Sequence, residues 1–158
     1  MKLSNETANT KISQIILVVA AVIGLLDSLY LAYVKIANVN IYCTPGLGSC
    51  DVVNASRFSV LWGIPLGVYG VVAFATLLWL AVFGKRVKML APYTELLLFA
   101  ISFAGFLFSL YLTYIELFFL KAVCQWCVLS ALMMTTVFFT GIHKLVVKSA
   151  KFQTEEEN

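Results

Sequence analysis

Two cysteines three residues apart, in Cys124-Gln-Trp-Cys127, are the strongest chemical feature of this sequence. On the first turn of a helix such a pair points to one side and can close a strained, easily reduced disulfide. A helix N-terminus carries partial positive charge and free N–H groups, which lower a thiol's pKa and favour the thiolate, the species that attacks disulfides. A second pair, Cys43 and Cys50, brackets Thr44, Pro45, Gly46, Leu47, Gly48 and Ser49, a turn-rich stretch able to flex. A mobile loop pair beside a fixed helix pair suits a shuttle. One pair visits an external partner while the other stays beside a buried electron carrier. Four cysteines allow three pairings, and spacing does not choose among them. Zinc would need all four in one tetrahedral cage. The Cys43–Cys50 gap exceeds the usual ligand spacing and the only histidine, His143, falls on the opposite side, so no metal is expected.

The elements that must hold these cysteines are apolar throughout. Of 158 residues, 61% are hydrophobic and 12% charged, with mean hydropathy +0.94. A soluble domain is about 45–50% apolar and about 25% charged, so this chain cannot hide its apolar residues in a core of its own. Phe58 to Gly84, Leu96 to Ile115 and Ala122 to Ile142 carry no charge, and Ile12 to Val34 carries only Asp27. Each is long enough to cross about 30 Å of hydrocarbon as a helix, which needs roughly 20 residues. The expected fold is therefore an all-α integral membrane bundle of four helices, with spans at about 12–35, 60–83, 92–115 and 122–143. Residues 1–11 form a short N-terminus, 12–147 one membrane domain, 36–59 the cysteine-bearing loop between helices 1 and 2, and 148–158 a charged tail.

Lys and Arg decide the orientation. Four spans place Lys2, Lys11, Lys85, Arg86, Lys88, Lys144, Lys148 and Lys151 on one side and Lys35, Arg57 and Lys121 on the other. The eight-residue side is the cytoplasmic one, so both termini are cytoplasmic and the membrane is the cytoplasmic (inner) membrane. The net charge of +3 is then a topology signal, not a mark of nucleic-acid binding. All four cysteines fall on the extracytoplasmic side, where disulfides persist. The first apolar run is longer than a signal-peptide h-region and no clean cleavage site follows it. The acidic run Glu155, Glu156, Glu157 reads as a solvated end.

A short internal repeat relates the halves. Span 1 ends Ser28-Leu-Tyr-Leu-Ala-Tyr33-Val-Lys35 and span 3 ends Ser109-Leu-Tyr-Leu-Thr-Tyr114-Ile-Glu116, with Tyr33 ten residues before Cys43 and Tyr114 ten before Cys124. Both spans run outward, so the halves are parallel repeats that bring the cysteine pairs to one face. Lys35 and Glu116 occupy matching positions and could attract each other, though two solvated interfacial charges are the expected reading. Asp27 lies inside the membrane, where a carboxylate is costly. It is either a proton relay or a structural group, protonated or bonded to its own helix. Thiols need a two-electron acceptor, and in a bilayer the natural one is a quinone held between helices. Trp126 is a candidate wall for that pocket, or an interfacial tryptophan.

The loop pair Cys43 and Cys50, Ser56 six residues on, the run Gly63-Ile-Pro65-Leu-Gly-Val-Tyr-Gly70 and Cys124-Gln-Trp-Cys127 together resemble the prokaryotic branch of the vitamin K epoxide reductase family, over about residues 20–140. The DsbB type of thiol oxidase is similar in topology but carries its CxxC in the first outer loop. The resemblance implies that Cys124 and Cys127 are the redox pair, with Cys127 nearest a quinone of the ubiquinone or menaquinone type. It implies that Cys50 exchanges with Cys124, that Cys43 meets a thioredoxin-fold (DsbA-like) partner outside the cytoplasm, and that Ser56 lies near the quinone. Many prokaryotic members carry that partner as a fused C-terminal domain. This chain stops at Asn158, so a separate partner is expected. Animal enzymes place an Asn and a Tyr where this chain has Leu66 and Ala131, which favours a respiratory quinone over vitamin K epoxide. The competing class is a non-enzymatic tetraspan scaffold or transporter subunit with structural disulfides. It predicts cysteines that never change partners.

Overall fold

A computed structural model describes residues 2–44, 46, 48–84, 86–87 and 91–156. The topology lysines Lys85 and Lys88, the loop residues Pro45 and Leu47, and Glu157 lie outside the described residues. So do the side chains of Lys2, Lys148, Lys151, Glu155 and Glu156.

Helix α1 (Lys2–Ala37) is followed by a short helix α2 (Cys50–Ala55), a hairpin of β1 (Val60–Leu61) and β2 (Ile64–Pro65), and then α3 (Leu66–Phe83), α4 (Thr94–Tyr114) and α5 (Gln125–Glu156). Among the described residues, four stretches are long and apolar enough to cross a membrane: Lys11–Ala37, Leu66–Phe83, Thr94–Leu120 and Gln125–Val147. Large apolar side chains cover the outside of the bundle. On α1 alone, Ile12, Ile15, Ile16, Val19, Leu26 and Leu29 are exposed. Only hydrocarbon tolerates such a surface. The chain is a multi-pass membrane protein.

Two boundaries differ from the sequence reading. Residues 60–65 are not the start of the second span. Trp62 (φ 51°) and Gly63 (φ 82°) both take the left-handed conformation that a two-residue hairpin turn requires. Val60 pairs with Pro65 and Leu61 with Ile64, and the helix begins only after Pro65, which lacks a backbone donor. The third span runs past 115. A wide π-helical turn, Ile115–Leu120, extends α4 until Lys121 (φ 48°) reverses the chain.

Helix α1 packs along both α3 and α5, and α4 along α5, while α3 and α4 touch over a much shorter stretch. The close approach of α1 to α3 depends on Gly67 and Gly70. A Cβ at Gly67 would collide with the backbone of Leu31 and Ala32, and one at Gly70 with Ser28. The main core, built on Leu17, Phe74, Leu77, Leu98, Met134 and Val137, lies away from the cysteines. The far end is tied by polar contacts: Gln14 donates to the Ala81 carbonyl at 2.6 Å, and Lys144, buried rather than solvated, donates to Gln14. Four crossings bring all four cysteines to the other end. There a second buried cluster joins Val34, Ile41, Cys50 and Cys124.

Candidate active site

Cys124 immediately precedes α5, and its carbonyl accepts the first intrahelical bond, from Val128 N–H at 3.0 Å. It is thus the N-cap residue, whose side chain ordinarily satisfies the free N–H groups of the first turn. Here the cap is sulfur. A hydrogen bond from the Cys127 thiol holds the Cys124 thiol below the usual range. The backbone N–H groups of Cys127 and Trp126 add to this, against the opposing effects of burial and of the Glu116 charge. Cys124 is buried and Cys127 half-buried, and both are free thiols.

Glu116 is the residue the sequence reading misplaced. It is buried, at 5% exposure, whereas its repeat-mate position had suggested a solvated interfacial charge. The π-helical turn makes the difference. It swings Glu116 inward, so that its Oε2 accepts the Cys124 backbone N–H at 3.2 Å and its carboxyl group meets the Cys127 thiol in a hydrogen bond. The Ala122 N–H closes the turn on the Glu116 carbonyl at 3.1 Å. An isolated turn of this kind often marks a functional site. The available signal was an acidic residue eight positions before Cys124, at the cysteine end of an otherwise uncharged span. Lys35 is half-buried and donates instead to the Asn54 carbonyl.

Cys43 and Cys50 are joined in a disulfide, with Cα atoms 5.9 Å apart. This selects one of the three pairings that spacing left open. The loop that carries them, whose turn residues suit a stretch able to flex, is hydrogen-bonded to the entrance of α5. Ser49 N–H bonds the Val123 carbonyl at 3.0 Å, and Thr44 N–H reaches Gln125 Oε1 at 3.3 Å. Trp126 Nε1 donates to the Tyr42 carbonyl at 2.7 Å. Gly48 leaves no room for a side chain against Val123. These three hydrogen bonds all join the loop to residues 123–126. The loop is therefore seated on the entrance of α5, with Cys50 fully buried beside Cys124, and Cys43 half-buried toward the surface.

Two cavities adjoin the helix pair. A small one of about 70 Å³ is lined by Ser56, Lys35, Glu116, Cys124 and Cys127 among others. A larger one of about 590 Å³ opens where α3 and α4 diverge, lined mainly by apolar groups such as Leu66, Ala104, Phe108 and Ala131. Glu116 and Cys127 belong to both walls. Ser28 and Ser109, equivalent in the repeat, both line the larger space, while Tyr33 and Tyr114 face outward. Ser56 borders the small cavity, its Oγ donating to the Val53 carbonyl at 2.7 Å. Trp126 lines neither cavity. Its ring packs on Tyr30, centroids 4.7 Å apart, and the indole holds the loop rather than walling a pocket. Asp27 is buried, and its partner is not its own helix but Ser130 on α5, which donates to Oδ2. Ser130 in turn lines the larger cavity.

The sequence matches the model of the Vitamin K epoxide reductase family over residues 15–142. It is 31% identical over 136 residues to Thiol-disulfide oxidoreductase LTO1 of Arabidopsis thaliana, an alignment covering 82% of this chain and 34% of that protein. The chain thus spans about a third of the length of that curated relative. With all four cysteines inside the matched region and four membrane-spanning helices around them, the chain belongs to the vitamin K epoxide reductase family of oxidoreductases.

Proposed function

We propose that this protein is a membrane thiol:quinone oxidoreductase. It draws electrons from a thioredoxin-fold dithiol protein on the extracytoplasmic face, passes them from the Cys43–Cys50 pair to the Cys124–Cys127 pair, and delivers them to a quinone in the bilayer. The observation that carries this reading is the serial placement of the sulfurs. Cys43 lies toward the surface, Cys50 and Cys124 share one buried cluster, and Cys127 stands at the wall of the large cavity. The orientation is supported by Lys11, Arg86 and Lys144 at the end opposite the cysteines, and by the disulfide itself, which suits an oxidising compartment.

The steps follow from thiol–disulfide exchange. A partner thiolate attacks Cys43 and expels Cys50. The partner's second thiol resolves the mixed bond and leaves the loop pair reduced. Cys50 then attacks Cys124 of a Cys124–Cys127 disulfide and expels Cys127, and Cys43 displaces Cys124 to restore the loop disulfide. A loop disulfide beside two helix thiols, the arrangement in the structure, is the product of that transfer. It is ready to give two electrons onward.

The larger cavity fits a quinone ring. Its volume lies within the range of about 300–1,000 Å³ common for small-molecule sites. Its lining is apolar with a few hydroxyls, among them Ser28, Tyr69, Ser109 and Ser130, and it adjoins Cys127. A bound quinone would supply a two-electron, two-proton sink there. Leu66 and Ala131, which offer no side-chain hydrogen bond, face the same cavity, consistent with a plain respiratory quinone.

The test is to reconstitute the chain in lipid with a reduced thioredoxin-fold dithiol protein and a quinone, following quinol formation while free thiols are mass-tagged. Quinol appearing with cycling of all four cysteines is expected. Cysteines that keep one fixed pattern throughout would establish a structural scaffold instead.

A further inference from the structure

The geometry points to Glu116 as the proton acceptor for Cys127 during oxidation of the helix pair, and as the group that hands this proton on into the larger cavity. The inference rests on the thiol-oxidase reading and assigns a role to a carboxylate which that reading leaves unused.

Four observations meet at this residue. Glu116 is buried at 5% exposure, yet each polar contact found for its side chain is to the cysteine pair: the Cys124 backbone N–H at 3.2 Å and the Cys127 thiol. It stands on a π-helical turn, a geometry that costs regular hydrogen bonding and here serves to place this one side chain. It borders both cavities, as does Cys127, so a proton accepted on the cysteine side is already at the wall of the acceptor space. Finally, among the described residues no other carboxylate lines either cavity. The titratable and charged groups facing it are Lys35 from α1, the two thiols at the entrance of α5, and Tyr69 from α3 across the larger cavity; α2 contributes only the amide of Asn54, and the segment after it the hydroxyls of Ser56 and Ser59. Asp27 stands behind Ser130 and does not border that space.

The step balances as follows. The Cys124 thiolate and the Cys127 thiol become a disulfide. The S–H bond of Cys127 breaks, its proton goes to the Glu116 carboxylate and the S–S bond forms; a quinone bound in the larger cavity would take up the two electrons, together with the proton held by Glu116 and one from the medium. In the reverse direction, opening the Cys124–Cys127 disulfide requires a proton for the departing Cys127, and protonated Glu116 provides it. A group in this position typically contributes about 10²–10⁴-fold to the rate.

The reverse step gives a test without quinone. The full chain, in detergent and stripped of quinone, is oxidised to the Cys124–Cys127 disulfide. Its opening by dithiothreitol is then followed by quenched mass-tagging across pH. Attack needs a thiolate and departure needs protonated Glu116, so the wild-type profile is bell-shaped. Glu116→Gln keeps an oxygen for the Cys124 N–H but cannot supply a proton. It is expected to retain the ascending limb, lose the descending one, and open about 10²-fold more slowly at the wild-type optimum. A bell persisting in Glu116→Gln, or a rate within about twofold of wild type, would reduce Glu116 to a positioning role and overturn the proposal. Should the Gln variant fail to insert, Glu116→Asp carries the test. Its shorter carboxyl should displace the descending limb and slow opening, and a wild-type profile in that variant overturns the proposal equally. Since no acceptor is present, an error in the quinone assignment leaves these profiles untouched.

Discussion

The two halves of the molecule begin alike and end differently. Ser28–Lys35 and Ser109–Glu116 share a motif whose second tyrosine lies ten residues before a cysteine, and each outward helix ends in a non-glycine residue with left-handed backbone, Asn38 or Lys121. In the first half the cysteines are seven apart, which leaves the chain room to turn, and they are bonded to each other. In the second they are three apart, the first capping a long helix, and they are free. Spacing therefore assigns the halves different work. The wide pair sits in a loop within reach of the surface, and the narrow pair is held by a helix end and a buried carboxylate beside an apolar cavity. The same contrast separates Lys35, bonded to the loop's own backbone, from Glu116, bonded to the reactive pair.

The contrast breaks most completely by deleting a helix thiol. Cys124→Ala and Cys127→Ala should each lower acceptor-linked oxidation by about three orders of magnitude or more, since the two sulfurs act as a unit. Insertion should be unchanged, because the helices satisfy their own backbone groups in lipid. Quinol formation beside a thermal-unfolding trace checks both halves of the statement. Appreciable turnover in either variant would mean that the narrow pair is not the electron donor.

Removing the outer sulfur should be selective. Cys43→Ala is expected to abolish oxidation of a protein dithiol while sparing a small dithiol able to reach Cys124 directly, as competition between the two substrates would show. Equal loss with both would place Cys43 within the core reaction. A companion variant sharpens the link between the pairs. In Cys127→Ser one of the two thiols able to resolve a Cys50–Cys124 disulfide is gone and only Cys43 remains, so that disulfide should accumulate as a cross-linked peptide after non-reducing digestion. Burial of both residues in one cluster makes the required Cα approach of about 7 Å plausible. An intact Cys43–Cys50 bond under the same conditions would show that the pairs do not exchange.

A subtler difference is ionisation. The Cys127 thiol is the foremost cause of the lowered Cys124 pKa. Cys124 should therefore stay thiolate below the ordinary thiol range, losing that charge only as pH falls through its depressed pKa. Cys127→Ala should move the thiolate absorbance curve to higher pH. A curve that stays put would assign the effect to the helix N–H groups alone.

Much of this arrangement is legible in the sequence, for definable reasons. The spans show as runs without charge, and Cys124-Gln-Trp-Cys127 shows its helix-opening position because the charge-free run Ala122 to Ile142 begins just ahead of it, after Glu116 and Lys121. What was not legible depends on contacts distant in sequence or on backbone geometry without a periodic signature. Trp62-Gly63 turns a hairpin inside an apolar stretch that hydropathy cannot divide. Ser130 meets Asp27 across 103 positions. The anchors that seat the loop join residues 42–49 to 123–126. Glu116 turns inward through a π-helical turn that no residue pattern announces.

The smallest expected effect tests the seating of the loop. Trp126 donates its indole N–H to the Tyr42 carbonyl, next to Cys43, while its ring rests on Tyr30, whose hydroxyl accepts the Tyr42 N–H at 3.1 Å. Trp126→Phe keeps an aromatic ring against Tyr30 but removes the donor. One intramolecular hydrogen bond is worth about 0.5–1.5 kcal/mol net, so the seated position should lose a few-fold in population. If exchange between Cys50 and Cys124 requires that position, the transfer from loop to helix slows by the same few-fold factor, while direct oxidation of a small dithiol through Cys124 stays as it was. Rapid-quench trapping of the two disulfides after a pulse of reductant separates these steps. An unchanged transfer rate would mean that the remaining anchors, Ser49 on Val123 and Thr44 on Gln125, hold the loop without help. An accelerated one would mean that the loop must lift from α5 before its cysteines can react, and the pinned geometry would then be the resting position of a moving arm.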